Sequence, residues 1–140
     1  MRRWSLPGLA LVALLAISAA GCGDNTTPVT PTPTPELKTD TFTGTLTPGI
    51  TNYYTFLART GDVVMKLSSV TPDPTVKVGM TLGVYSYLTC TPAMQNTNAV
   101  VGNTLFGTAT ATTSMCITVY DNGSLTSGSS VNYTITVTHY

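Results

Sequence analysis

The sequence predicts an all-β domain built as an antiparallel β-sandwich of seven to eight strands. After Asp40, apolar residues alternate almost throughout with threonine and other polar residues, which is the two-residue period of a half-buried strand. Turn-forming pairs such as Pro48-Gly49 and Asn122-Gly123 separate these alternating runs. No segment after Asp40 keeps a helical period long enough to form a helix. Short strands joined by turns, within about 100 residues, indicate a sandwich.

Seven strands follow from this alternation, and each turns one apolar face toward the core. They are residues 41–46, 52–58, 63–68, 76–85, 104–110, 115–120 and 131–138. The fourth has the clearest pattern, with an apolar residue at every second position: Val76, Val78, Met80, Leu82 and Val84. Gly79 and Gly83 on its other face predict a bend or the close approach of another backbone. The segment 86–98 lacks the alternation and is predicted to be a loop.

Residues 1–21 are predicted to be a secretory signal peptide. Arg2 and Arg3 form a short positive region, and residues 9–20 form an uninterrupted apolar run. That run is shorter than the roughly 20 residues that a membrane-spanning helix needs. A twin-arginine signal is a weaker interpretation, because residues 4–6 after the arginine pair fit its pattern poorly.

The end of this run, Ser18-Ala19-Ala20-Gly21-Cys22, resembles the lipobox of bacterial lipoproteins. The resemblance implies that Cys22 becomes the new N-terminus and carries acyl chains such as palmitate, so that a membrane is a partner of the chain. Two or more acyl chains anchor a protein stably, whereas one binds only marginally. Gly23, at the position after the cysteine, favours the outer membrane by resemblance to lipoprotein sorting rules. The alternative is ordinary signal cleavage that leaves Cys22 as a free thiol.

Residues 22–39 are predicted to be the lipidated cysteine and a linker, and residues 40–140 the sandwich domain. Threonine and proline alternate along much of this linker. Proline holds the backbone near the polyproline conformation, so the linker is a semi-rigid stalk that spans about 50 Å when fully extended.

Charge is scarce in this chain, because charged residues make up only 9% of the sequence. Once Arg2 and Arg3 leave with the signal peptide, four basic residues remain against six acidic ones, a net charge of −2. No basic patch is left to neutralise phosphate groups, so nucleic acid is excluded as a partner.

Four alternating segments lie near the two ends of the predicted domain. They are Phe42-Thr43-Gly44-Thr45-Leu46, Tyr53-Tyr54-Thr55-Phe56, Met115-Cys116-Ile117-Thr118-Val119-Tyr120 and Tyr133-Thr134-Ile135-Thr136-Val137. Together they resemble the bacterial pre-peptidase C-terminal domain, which implies a jelly-roll-like sandwich of the kind attached to secreted proteases. Some such domains bind collagen and calcium. This chain departs from them in having no enzyme before the domain and only Glu36 and Asp40 near the expected calcium site. No metal or other cofactor is therefore predicted.

Cys90 and Cys116 remain as a pair after Cys22 is assigned to lipidation. Export places them in an oxidising compartment, so a disulfide is predicted between them. Cys116 lies on the outward face of its strand, so the bridge would hold the 86–98 loop across that strand. The alternative is two free thiols. A structural zinc site is poorly supported, because two cysteines and one histidine cannot supply four ligands.

No catalytic site is predicted, so the protein is not expected to be an enzyme. His139, the single histidine, is expected to be exposed at a fraying strand end, where nothing would hold it for catalysis. The acidic residues are scattered and form no pair at a spacing typical of a glycosidase. A hydrolase is the least favoured of the functions considered.

Three tyrosines, Tyr85, Tyr87 and Tyr120, are the candidate ligand-binding residues. Tyrosine offers a rigid amphipathic surface at a low entropic cost and can stack on sugars or grip a peptide. The alternative is that they are ordinary outward strand residues. The sequence thus predicts a non-catalytic, surface-anchored binding or adhesion module for polysaccharide or protein. A second hypothesis is an envelope structural or accessory lipoprotein that contacts other envelope proteins.

Overall fold

The computed structural model describes residues 34–140 and contains no α-helix within that range. The signal peptide, Cys22 and most of the linker lie outside the described residues, and their predicted roles stay predictions. Residues 34–140 also include no helix capable of crossing a membrane. The eight strands are β1 Lys38–Leu46, β2 Thr51–Ala58, β3 Gly61–Thr71, β4 Val78–Ser86, β5 Thr89–Ala99, β6 Thr104–Ala109, β7 Thr113–Tyr120 and β8 Val131–His139.

The strands form two four-stranded sheets that pack face to face. Sheet A has the order β1-β8-β3-β6 and sheet B the order β2-β7-β4-β5, and every pairing is antiparallel. This order is that of an eight-stranded jelly roll, in which the chain passes from one sheet to the other at nearly every connection. The predicted all-β, jelly-roll-like sandwich is confirmed.

The core lies between the two sheets and is built from the inward apolar residues of the alternation. Its largest fully buried members include Tyr133, Leu46, Met65, Leu67, Met80, Leu82, Ile117 and Ile135. Val84 was predicted to face this core, but 41% of its surface is exposed. The prediction for Val84 is wrong because the last residues of β4 extend past the edge of the core toward a hairpin turn.

The segment predicted as a loop at 86–98 is instead a hairpin turn followed by β5. β5 pairs with β4 and forms one edge of sheet B, so most of its side chains are exposed on both faces. An edge strand exposed in this way needs no apolar alternation, which is the signal that the sequence lacks there. The register of β5 against β4 shifts at two bulges, one of them between Leu82 and Gly83.

The sandwich has two ends, which we name the linker end and the far end. The linker end contains the start of β1 at Lys38, the end of β8 at His139, the β2–β3 turn and the β4–β5 hairpin. The far end contains the connections 47–50, 72–77, 100–103 and 121–130. β1 begins two residues before the predicted domain boundary at residue 40, because Lys38 and Thr39 still pair with β8.

Candidate functional site

Threonines cover the outer face of sheet A along β1 and β8. The antiparallel register sets outward side chains of the two strands opposite each other in four rows: Thr39–Thr138, Thr41–Thr136, Thr43–Thr134 and Thr45–Asn132. Threonine suits this position because its branched side chain packs well on a pleated surface. The hydroxyl groups of Thr39 and Thr138 are 3.0 Å apart and hydrogen-bonded. In the row nearest the linker end the hydroxyls therefore bond to each other.

A shallow groove of about 300 Å³ crosses this face toward the far end. Its lining residues are Thr43, Gly44, Thr45, Ser69, Thr71, Asn132, Tyr133 and Thr134. A bulge in β3 between Leu67 and Ser69 creates its third side. Because the bulge inserts an extra residue, the buried positions pass from Leu67 to Val70 and both intervening serines lie outside the core. Ser69 then lies beside Thr134.

The groove is polar and carries no charged side chain. Thr45 Oγ1 donates a hydrogen bond to Asn132 Oδ1 over 2.7 Å. The amide nitrogen of Asn132 can then donate to a ligand in the groove. The hydroxyls of Ser69, Thr71 and Thr134 form no hydrogen bond with another described side chain. A hydroxyl both donates and accepts, so these groups match a ligand that does the same.

Two tyrosine hydroxyls lie beneath the groove and hold its floor in place. Tyr54 donates to the Thr43 carbonyl oxygen over 2.8 Å, and its hydroxyl oxygen is 2.8 Å from that of Tyr133. Burial raises the pKa of Tyr133 far above its ordinary value, and the bond with Tyr54 adds to the shift. Tyr133 therefore stays neutral, and the groove does too. A Cβ at Gly44 would overlap both hydroxyls, so glycine is required where β1 crosses them.

The three candidate tyrosines do not form one cluster. The ring of Tyr120 lies directly over Gly79 and is half-buried, near the far end of sheet B. Tyr85 lies on β4 six residues after Gly79, where it pairs with Cys90 of β5. At the ordinary rise of a strand, six residues place it about 20 Å from Gly79. Tyr87 lies at the tip of the β4–β5 hairpin, two residues beyond Tyr85, and is 98% exposed. A ligand role for these residues stays a prediction.

The β4–β5 hairpin is closed by Tyr87 and Leu88, and both have left-handed backbone conformations with φ of 49° and 62°. A two-residue hairpin turn with both φ angles positive ordinarily contains asparagine and glycine, because a Cβ disfavours this conformation. Leu88 is 88% exposed, so nothing in the domain packs against it. The turn was not predicted from the sequence, because Tyr87 and Leu88 are not the residue types that mark such turns.

The predicted disulfide between Cys90 and Cys116 is confirmed. Cys116 is fully buried although its side chain lies outside the core, because the start of β5 folds over the outer face of sheet B and covers it. A Cβ at Gly83 would overlap the carbonyl oxygen of Thr91, so this covering strand lies directly on the backbone of β4. The close approach predicted at Gly83 is confirmed, and a disulfide is typical of an exported protein.

His139 is buried rather than exposed, so the prediction of a fraying terminal histidine is wrong. Only 2% of it is accessible, and its ring lies 4.9 Å from that of Phe56. Nε2 is 3.1 Å from Asp40 Oδ2 and Nδ1 is 3.1 Å from the Tyr140 carbonyl oxygen. β8 extends to this residue because it pairs with Lys38, which the sequence had placed in the linker.

A cleft of about 490 Å³ lies beside His139 at the linker end. It is lined by Glu36, Leu37, Lys38, Leu57, Arg59, His139 and Tyr140. A histidine held by a carboxylate can act as a general base, but nucleophilic catalysis also needs a serine, threonine or cysteine within reach. None of the residues that line this cleft is of those types. Among residues 34–140 no three His, Cys, Asp or Glu side chains are grouped closely enough to hold a metal ion.

Asp40 gives the linker end a predicted dependence on pH. The Lys38 ammonium, 2.7 Å from Oδ1, holds the pKa of Asp40 below its ordinary value of 3.8. Partial burial raises this pKa, and the hydrogen bond with His139 lowers it. A carboxylate whose pKa is lowered by folding stabilises the folded state above its unfolded-state pKa, and this contribution is lost as the pH falls through the folded value.

We expect Asp40→Asn to lower the free energy of unfolding at neutral pH by about 1 kcal/mol, below the roughly 1.5–3 kcal/mol of a hydrogen bond to a charged group, because solvent partly screens this carboxylate. Urea unfolding at neutral pH and below pH 3.8 measures it. The difference from wild type should shrink as the pH falls below that value. Asp62→Asn, at an exposed site on the same end, is the matched control. A difference that persists unchanged in acid would contradict the expectation.

No protein-family model matches the chain, and no curated protein sequence matches it either. Among solved structures, the Yersinia pseudotuberculosis-derived mitogen is similar with a TM-score of 0.51 and 17% identity, over 74% of this chain and 86% of that one. The periplasmic inhibitor of g-type lysozyme from Aeromonas hydrophila has a TM-score of 0.49 and 17% identity, over 71% and 83%. At this identity the likeness to the mitogen shows a shared β-sandwich fold alone.

Proposed function

We propose that the chain is an exported, lipid-anchored and non-catalytic lipoprotein whose sandwich binds a neutral polysaccharide in the groove of sheet A. The Cys90–Cys116 disulfide supports export, because such bonds persist in oxidising compartments. The predicted lipid on Cys22 supplies the anchor. The groove lies toward the far end of the domain, so it is directed away from the point where the linker enters.

The observation that carries this proposal is the uncharged array of hydroxyl and amide groups on two adjacent rows. One row contains Thr43, Thr134 and Ser69, and the next contains Thr45, Asn132 and Thr71. Sugar hydroxyls donate and accept hydrogen bonds, as these side chains do. The groove offers no aromatic ring or arginine at its surface, so its ligand would be held by these hydrogen bonds, which match the many hydroxyls of a sugar chain. Polysaccharide is therefore favoured over protein as its ligand.

The cleft beside His139 supports a non-catalytic role. His139 is held between Asp40, the Tyr140 carbonyl oxygen and the Phe56 ring, and the cleft supplies no nucleophile for it to activate. These contacts join the last strand to the first and to the adjacent sheet. We infer that His139 stabilises the closure of the sandwich.

We expect the double variant Thr71→Val with Thr134→Val to weaken binding of a neutral polysaccharide about tenfold, since two hydrogen bonds are lost at about 0.5–1.5 kcal/mol each. Valine keeps the branched shape that suits a strand and removes only the hydroxyl. Binding is measured on an array of neutral and acidic polysaccharides and matrix proteins. The affinity for a neutral ligand should be insensitive to salt.

Thr39→Val with Thr41→Val is the matched control, because these hydroxyls lie on the same face but outside the groove. Equal losses in both double variants would count against the groove as the binding site. An array on which no polysaccharide binds, or only matrix proteins bind, would reject the proposed ligand class and favour an accessory role among envelope proteins.

A further inference from the structure

Exposed apolar side chains are concentrated at the linker end. Eleven large apolar side chains among residues 34–140 are exposed, and six of them lie at this end. These six are Leu37, Leu57, Val84, Tyr87, Leu88 and Tyr140. The far end has two, Ile50 and Val101, and the other three lie on the sheet faces. Scattered apolar residues are normal on a protein surface, but a group at one end marks an interaction surface.

The hairpin tip is the most exposed part of this group, and a disulfide fastens the strand that follows it to the sandwich. Tyr87 and Leu88 keep left-handed conformations that other residues would adopt at a lower cost. The disulfide at Cys90 ties the returning strand to β7 two residues after the tip. Strain that is kept at an exposed position points to function, because a more stable turn is readily available by substitution.

The part of the chain that precedes the structure leaves from this same end. Thr34 is the first described residue, and β1 starts four residues later at the linker end. Cys22 lies 15 residues before Leu37 in the sequence, and a polyproline segment of that length would span about 45 Å. A lipid on Cys22 would tether the domain by its linker end, so this end is the one that the anchor brings within reach of the bilayer.

We propose that the linker end is a membrane-contacting surface and that Tyr87 and Leu88 insert into the bilayer interface. The proposal rests on the lipid anchor at Cys22 that the proposed function includes. Tyrosine favours the headgroup region because its ring is amphipathic, and leucine favours the acyl boundary below it. Leu37, Leu57 and Tyr140 line the cleft at the other edge of sheet B, beside β2, and add a second apolar group to the same end.

Charge contributes little to this contact. The linker end carries two basic residues, Lys38 and Arg59, against three acidic ones, Glu36, Asp40 and Asp62, and Lys38 is already paired with Asp40. An end without net positive charge gains nothing from anionic lipids. Insertion is therefore driven by apolar burial, and it should be equal on zwitterionic and anionic vesicles and unchanged by salt.

The test uses tryptophan fluorescence, since the one native tryptophan, Trp4, lies in the predicted signal peptide. The mature lipidated protein with Tyr87→Trp is reconstituted into phosphatidylcholine vesicles. We expect a blue shift of emission and loss of roughly half of it to brominated lipids, as for a side chain buried at the acyl boundary. Tyr53→Trp is the matched control, on the outer face of sheet B about 17 Å from the linker end.

A second variant, Leu88→Ser added to Tyr87→Trp, should reduce that quenching while the protein stays bound through its acyl chains. Equal quenching at positions 53 and 87 in the acylated protein would contradict the proposed membrane contact. The proposed lipid anchor would not be affected by that result. A position-87 signal that responds to an envelope protein but not to vesicles also overturns it. A mature protein whose mass shows no acyl groups overturns the anchor and this inference together, while leaving the groove to be judged by its own variants.

Discussion

Replacing Cys90 and Cys116 with alanine is expected to lower the free energy of unfolding by about 3.5 kcal/mol, because the bridge closes a long loop whose entropy the unfolded chain regains. The two cysteines are 26 residues apart in the sequence. That loss is a large share of the roughly 5–15 kcal/mol by which small domains are stable. Chemical denaturation of the oxidised wild type and of the double variant measures the difference.

The wild-type protein in a reducing buffer is the control for this result. Reduction should lower its stability to nearly that of the double variant, and the same buffer should leave the variant unchanged. If the double variant is as stable as the oxidised wild type, the covering start of β5 is held by its strand pairing alone, and the bridge has no role in stability.

Gly83→Ala is expected to destabilise the domain by about 3 kcal/mol, the upper end of what overpacking ordinarily costs. The added Cβ would overlap the carbonyl oxygen of Thr91, which is backbone and cannot rotate away. The start of β5 would have to lift from β4, which also pulls on the bridge at Cys90. Thermal unfolding of the variant, with the bridge intact, measures the cost.

Gly79→Ala is the matched control on the same face of the same strand. Its Cβ would overlap the ring of Tyr120, a side chain that can turn toward solvent. We expect a smaller loss there, below about 1.5 kcal/mol. Equal losses at the two glycines would show that the backbone of β5 yields as easily as a side chain. The close packing at Gly83 would then not be a constraint.

The sequence predicted the fold well because burial on one face of a strand imposes a two-residue period. Seven of the eight strands carry that period, and the core members Met80, Ile117 and Ile135 lie where it placed them. The predicted signal peptide implied export to an oxidising compartment, and this predicted the Cys90–Cys116 disulfide without any knowledge of the sheet order. These inferences depend on local pattern or on cell location, and both are encoded in the chain.

The features that the sequence did not reveal depend on contacts between distant residues. His139 is buried because Asp40, 99 residues earlier, lies opposite it in the sheet. A bulge in β3 sets Ser69 beside Thr134 and Thr71 beside Asn132 in the groove, and no local pattern marks that bulge. β5 was missed because an edge strand exposed on both faces has no apolar period to detect.

The place of β8 sets the order in which the protein can fold. This final strand lies in the middle of sheet A and hydrogen-bonds to both β1 and β3. Until the nine residues of β8 are available, β1 has no partner in sheet A and stays apart from the β3–β6 pair. A chain that crosses a membrane with its N-terminus first would stay unfolded until nearly all of it has passed through. Closure that depends on such long-range strand pairing is also slow.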